Sequence, residues 1–93
     1  MALVLALIHH LCIGNNLSFA MVAEFLSMVC TQLILEFVPK NDLQVQRLLK
    51  TRKDIYGWYN KKELISSFGI FFNILLEKPL VESERVIFLM VKK

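Results

Sequence analysis

Two apolar runs of strand length, each associated with titratable side chains, constrain the fold of this chain most strongly. Residues 3–8 are continuously apolar and lead into His9 and His10. Residues 32–38 form the second run, which carries Glu36 near its end and stops at a proline. Such uninterrupted runs are typical of strands that are covered on both faces of a parallel sheet. Because ligands of open α/β sheets bind where strands end, the two runs predict one shared crevice that contains these titratable groups.

The remaining segments complete a predicted order of β-α-β-α-α-β-β. Ser18, Asp42 and Asn60 are suited to cap helices, because each has a short polar side chain ahead of a helical pattern. The helical crossovers imply that the first three strands are parallel, and a short link makes the last two antiparallel. The predicted helices are residues 18–28, 42–50 and 60–68, and the predicted strands are residues 3–8, 32–38, 70–77 and 85–91. The sequence therefore predicts a single α/β domain over residues 1–93 with a mostly parallel sheet.

The composition is too apolar for so short a chain to bury by itself. Hydrophobic residues make up 56% of the 93 residues, whereas a domain of this size hides only ~60–65% of its unfolded surface. Some apolar side chains are therefore expected to meet another chain or a missing part of this one. The first strand would have a bare edge, which invites pairing with another copy. The predicted partners are a second copy bound through this sheet edge or a missing N-terminal half.

Charge, hydropathy and cysteine spacing indicate which kinds of partner and which cellular compartment are expected for this chain. The net charge is +3, but acidic residues are interspersed among the basic ones of residues 40–62, so a solvated surface is favoured over nucleic-acid binding. Residues 1–13 lack a basic leader and are too short for a membrane span of about 20 residues, so a buried strand is favoured over a signal segment. Cys12 and Cys30 are not spaced as a zinc or redox pair, which predicts free buried thiols, no metal and a cytoplasmic location.

Five short blocks resemble the C-terminal half of a class I S-adenosylmethionine-dependent methyltransferase, in the bacterial branch that is nodulation-protein-like. The blocks are residues 6–11 (ALIHHL), 15–19 (NNLSF), 34–40 (ILEFVPK), 45–49 (VQRLL) and 51–55 (TRKDI). The resemblance implies strands four to seven of a seven-stranded Rossmann-like sheet. It also implies that the final, antiparallel strand inserts between the second and third strands of this chain.

The cofactor loop of that family is missing from this chain. Gly14, Gly57 and Gly69 are isolated, and no Gly-x-Gly occurs, although a glycine-rich turn is what lets the backbone approach such a cofactor. The resemblance implies S-adenosylmethionine as the cofactor and assigns Leu7 and Ile8 to its binding. We expect the chain to be inactive alone, as an excised piece, a truncated gene product or one part of a split enzyme. A homo-oligomeric association module without catalysis is the alternative.

The histidines are the candidate catalytic residues. In the resembling family the acceptor is a small molecule such as a sugar, and methyl transfer to it sometimes needs a base. Adjacent residues on a strand point to opposite faces, so one histidine is expected to face the crevice, and His10 is preferred over His9. A packing role is the alternative for both.

The other candidates are expected to contact the substrate. Glu36, on an apolar strand, must be paired or face a wet cleft, so a substrate contact and a structural ion pair are both open. Arg47 and Arg52 are its candidate partners. Tyr56 and Trp58, with Tyr59, could stack on a sugar or pack as a local aromatic cluster.

Overall fold

A computed structural model of the chain describes residues 1–5, 7–50, 54–81 and 83–93. It shows a small α/β fold in which the predicted order of elements is confirmed. The strands are β1 (Ala2–Val4), β2 (Gln32–Phe37), β3 (Phe72–Pro79) and β4 (Val86–Lys92), and the helices are α1 (Phe19–Val29), α2 (Leu43–Leu49) and α3 (Lys61–Phe68). A short π-helical turn, His10–Gly14, lies between β1 and α1.

The four strands form one mixed sheet in the order β1-β2-β4-β3. β1 is parallel to β2, with Leu3 beside Ile34. β4 is antiparallel to both of its neighbours, so that Leu35 of β2 lies beside Phe88. The predicted insertion of the last strand between the second and third is therefore confirmed.

The first strand is shorter than predicted. It ends at Val4, and the Leu7 carbonyl already accepts helical hydrogen bonds from the amides of His10 and Leu11. The prediction of a strand over residues 3–8 was wrong because the apolar pattern there is also helical. Val4, Ile8 and Cys12 lie four residues apart, and all three are buried, whereas Leu5 and Leu7 between them are exposed.

All three predicted N-caps are confirmed. The Ser18 hydroxyl accepts a hydrogen bond from the Met21 amide at 3.1 Å. The Asp42 carboxylate accepts from the Gln44 amide at 3.0 Å, and the Asn60 side chain accepts from the Glu63 amide at 2.9 Å. Each cap satisfies an orphan donor of the first turn and is worth about 1 kcal/mol.

The core lies on one face of the sheet, against α1 and α3. Alternate residues of β2 and β4 point into it, and Leu35, Phe88 and Met90 are fully buried together with Phe68 of α3. The predicted sheet packing of Phe88 and Met90 is thus confirmed. The opposite face carries Leu3, Ile34, Leu89 and Leu76, which lie side by side across the four strands; its two outer members are exposed.

Both cysteines are free thiols, as predicted. Cys12 is fully buried, and desolvation raises its pKa from 9.0 to about 12, so the thiol stays protonated. Cys30 is half-buried, and its thiol donates to the Leu26 carbonyl at 3.2 Å. In the part of the chain that the structure describes, no helix combines the length and the apolar character needed to cross a membrane.

Candidate functional site

Four polar side chains converge at one edge of the sheet. β1 and β2 are parallel and β4 is antiparallel to β2, so the carboxyl ends of the first two strands meet the start of the last. His9 follows β1, Glu36 and Asp42 lie at the end of β2 and just beyond it, and Arg85 precedes β4. We call these four residues the polar cluster. The two strand ends that were predicted to share a crevice therefore meet at one edge of the sheet, but His9, His10 and Glu36 do not line the concavities described below.

Arg85 is the centre of the polar cluster. Its Nε and Nη2 atoms donate to the two carboxylate oxygens of Asp42 at 2.9 and 3.1 Å, and its Nη1 atom lies 3.5 Å from Oε1 of Glu36. The three side chains are only 21% (Arg85), 17% (Asp42) and 11% (Glu36) exposed. The hydrogen bonds from Arg85 hold the pKa of Asp42 below its usual 3.8, and the same contact raises the pKa of Arg85. One guanidinium faces two carboxylates, so the trio is net negative.

Arg85 was not predicted as a site residue. Arg47 or Arg52 was expected to be the partner of Glu36, but Arg47 is exposed on α2 and Arg52 lies outside the described residues. The structural ion pair that was one alternative for Glu36 is present, with a different arginine. The register could have revealed it, because the inserted last strand brings its start opposite the end of β2.

His9 is fully buried, and among the described residues neither of its ring nitrogens has a hydrogen-bond partner. Burial, helped by the positive fields of His10 and Arg85, lowers its pKa from 6.5 to about 4, while Asp42 and the nearby amide of Gln44 oppose the shift. Gln44 is near the ring but not in hydrogen-bonding geometry. The imidazole is therefore neutral at pH 7 and costs stability, since a buried polar group without a partner loses its hydration.

The two histidines do not alternate across a strand. His9 has helical backbone angles, with φ −68° and ψ −32°, and His10 begins the π-helical turn. Their rings lie next to each other, with centroids 4.2 Å apart. His10 was preferred over His9 because adjacent residues of a strand point to opposite faces, but these two residues are not in a strand. His9 is the ring that belongs to the polar cluster, whereas His10 is exposed beside it.

Lowering the pH is expected to destabilise the fold through His9. Its folded pKa lies below the unfolded value of 6.5, so the unfolded chain binds a proton that the folded chain refuses between pH 6.5 and about 4. Stability is therefore complete above pH 6.5 and falls through that interval by at most ~1.4 kcal/mol per pH unit. Urea unfolding at pH 7.5 and pH 5 measures the slope.

Two variants test whether His9 causes this pH dependence of the free energy of unfolding. His9→Leu should abolish it and raise the free energy of unfolding at pH 7.5 by about 1 kcal/mol, because an unsatisfied polar group becomes apolar. His10→Gln, at the exposed neighbour, should leave the slope of His9 in place. An unchanged slope in His9→Leu would contradict the assignment.

The aromatic candidates pack mainly against one another. The Trp58 ring meets the Phe19 ring edge-on, with the ring centroids 5.3 Å apart, and the ring centroids of Tyr59 and Phe37 are also 5.3 Å apart. The Tyr59 hydroxyl donates to the Val38 carbonyl, and Tyr56 is buried with its hydroxyl bonded to an asparagine. Such burial leaves Tyr56 no free face for stacking on a sugar, so the alternative of a local aromatic cluster describes it. Trp58 is only half-buried.

Two concavities flank this region. One of about 580 Å³ opens beside the polar cluster and is lined by Pro39, Asn41, Asp42, Leu43, Ser83 and Glu84. The other, of about 490 Å³, is apolar and lies between Leu7 and the outer side of α1. Ile8 is fully buried in the core, so it lines neither of them and cannot contact a cofactor there.

The chain is similar to a nodulation protein. It shares 40% identity over 67 residues with "Nodulation protein NoeA" of Rhizobium meliloti (strain 1021). The match covers 72% of this chain but only 14% of that relative. No protein-family model and no solved structure matches the chain.

Proposed function

We propose that this chain is part of an S-adenosylmethionine-dependent methyltransferase that acts on a small molecule such as a sugar. The convergence of the polar cluster at the carboxyl ends of β1 and β2 carries the proposal, because that edge is where open α/β sheets bind ligands. The strand order, with an antiparallel strand inserted between β2 and β3, agrees with the fold that the resembling family implies. The similarity to a much longer nodulation protein supports a role as one part of a larger assembly.

The acceptor side of the proposed site favours uncharged hydroxyl compounds. The concavity beside the polar cluster is lined by Asn41, Asp42 and Glu84, residue types whose side-chain oxygens accept hydrogen bonds from hydroxyl groups. Because the one guanidinium is already paired with carboxylates, a phosphorylated or carboxylated acceptor would meet net negative charge. A neutral sugar fits this arrangement better than a sugar phosphate.

The histidines are proposed to form the general-base site that removes the proton of the acceptor's hydroxyl. His10 is accessible to a ligand, and its ring contacts that of His9, which is neutral and lies within the electrostatic influence of Asp42 and Arg85. The exposed imidazole of His10 can reach a hydroxyl and take its proton during transfer, whereas the buried His9 packs beside it. An unpartnered buried histidine also lowers stability, and such residues persist mainly where function requires them.

The described residues do not fit the cofactor by themselves. The glycine-rich turn that would admit its backbone contacts is missing from the sequence, and Ile8, one of the two residues assigned to it, is buried in the core. We therefore place the cofactor-holding part in another polypeptide segment; of the two assigned residues, Leu7 is the exposed one.

Calorimetric titration with S-adenosylhomocysteine tests this proposal in two arms. Full-length NoeA is expected to bind with micromolar affinity, and this chain alone at least ~100-fold more weakly, a difference of about 2.7 kcal/mol. Adenosine monophosphate is the control ligand for non-specific nucleotide binding. If NoeA does not bind, the methyltransferase assignment fails. If this chain alone binds at micromolar concentration, its dependence on a missing segment fails.

A further inference from the structure

A continuous apolar surface surrounds β1 and the outer side of α1. We call it the β1–α1 surface, and its exposed members are Met1, Leu3, Leu5, Leu7, Met21, Phe25, Met28 and Val29. The apolar cavity joins Leu7 to Met21 and Phe25, and a second depression joins Met1 to Met28 and Val29. These side chains are between 42% and 72% exposed. Their combined area is on the order of 800 Å², about what each partner contributes to a stable interface.

The charge of this region favours an uncharged protein surface as its occupant. Residues 1–39 contain no lysine or arginine, and Glu24 is the single acidic residue of α1. Lys92 lines the depression that holds Met1 and Met28, but a single lysine gives little attraction for anionic lipid head groups. Each copy brings one exposed carboxylate, Glu24, and this one lysine, so a second copy of the same surface adds little repulsion between like charges.

The two edges of the sheet differ in how they are protected. β1 pairs with β2 along one side, and its other side has no strand beside it in the described part of the chain. The outer edge of β3 carries Lys78, Pro79 and Glu77, which is ion-paired with Lys61 at 2.7 Å. Charged residues and proline discourage pairing at an edge. Pairing with a strand of another chain is therefore favoured at the edge of β1.

We propose that two copies of this chain associate through the β1–α1 surface about a twofold axis. Identical strands related by such an axis run antiparallel, so the two β1 strands join the four-stranded sheets into one. The apolar cavity of each copy receives side chains of the other, and the contact closes because each copy uses its own free β1 edge. The dimer goes beyond the proposed methyl transfer and does not depend on it.

Light scattering coupled to size exclusion tests the dimer, under reducing conditions that exclude a disulfide through Cys30. The mass is expected to be twice the 10.8 kDa of one chain at micromolar concentration. Phe25→Glu should give a monomer. Leu75→Glu is the matched control on β3, because Leu75 is 60% exposed and Phe25 is 58% exposed, and it should stay dimeric. A monomeric parent chain, an open polymer, or equal losses in both variants would overturn the proposal.

Hydrogen exchange on the unaltered chain gives a second measurement that needs no variant. Amides of β1 should become at least tenfold more protected as the concentration rises through the dimer transition, while those of β3 should not change. Protection that does not depend on concentration would overturn the proposal. Sedimentation with phosphatidylserine vesicles covers the membrane alternative: we expect the chain to stay in solution, and recruitment that Phe25→Glu abolishes would replace the second copy by a lipid surface.

Discussion

Replacing Arg85 with alanine is expected to lower the free energy of unfolding by about 3 kcal/mol at pH 7.5. The substitution leaves Glu36 and Asp42 largely buried without their cation, and removing one member of a buried ion pair costs ~3–5 kcal/mol. We expect a loss at the lower end of this range because the three side chains are still between 11% and 21% exposed to solvent. Equilibrium unfolding in urea measures the loss.

Lys61→Ala is the control for that substitution. It also breaks an ion pair, with Glu77, but those two side chains are 46% and 39% exposed, and exposed pairs contribute only ~0–1 kcal/mol. Acid supplies a further check. Arg85 lowers the folded pKa of Asp42 below 3.8, so its contribution is present above that pH and is lost as the pH falls through the folded value. Equal losses in the two variants would show that burial does not decide the effect.

Phe88→Ala is expected to cost about 3–5 kcal/mol, the range for deleting a buried aromatic ring. Phe88 is fully buried on β4, where it lies beside Leu35 of β2. The strand is held between β2 and β3, so its backbone cannot easily move to fill the cavity. A chain of 93 residues has a total stability of ~5–14 kcal/mol, and this loss would bring the weaker end of that range close to unfolding.

Leu89→Ala tests whether the loss of stability in Phe88→Ala comes from burial in the core or from its position on β4. Leu89 is the next residue on β4, points to the opposite face and is half-buried. We expect it to cost roughly 1 kcal/mol, because less apolar area leaves water there. Thermal and urea unfolding of both variants check the contrast. Similar losses at the two positions would mean that the second face is as well packed as the first.

Local patterns predicted the elements whose signals are local. Ser18, Asp42 and Asn60 mark helix starts because each short polar side chain bonds an amide two or three residues ahead. The first strand was misjudged because buried residues four apart suit a helical turn as well as an apolar strand run. Periodicity alone does not separate those cases in so short a segment.

The candidate site was predicted only in outline. Both apolar runs were expected to end in one crevice, and the two strand ends do meet at one edge of the sheet, but the arginine that organises this edge is distant in sequence. Arg85 and Asp42 are 43 positions apart along the chain. Such a contact depends on strand register, which nothing near Arg85 in the sequence encodes.

The sequence by itself determined the order of helices and strands, the helix caps and the excess of apolar side chains, because these follow from short-range spacing and from composition. Only the tertiary structure decided that His9 is buried and neutral, that Arg85 pairs with Asp42 and Glu36, and that more than half of the exposed large apolar side chains lie around β1 and α1. Burial and ion pairing depend on which distant segments meet, and that is settled when the last strand inserts between β2 and β3.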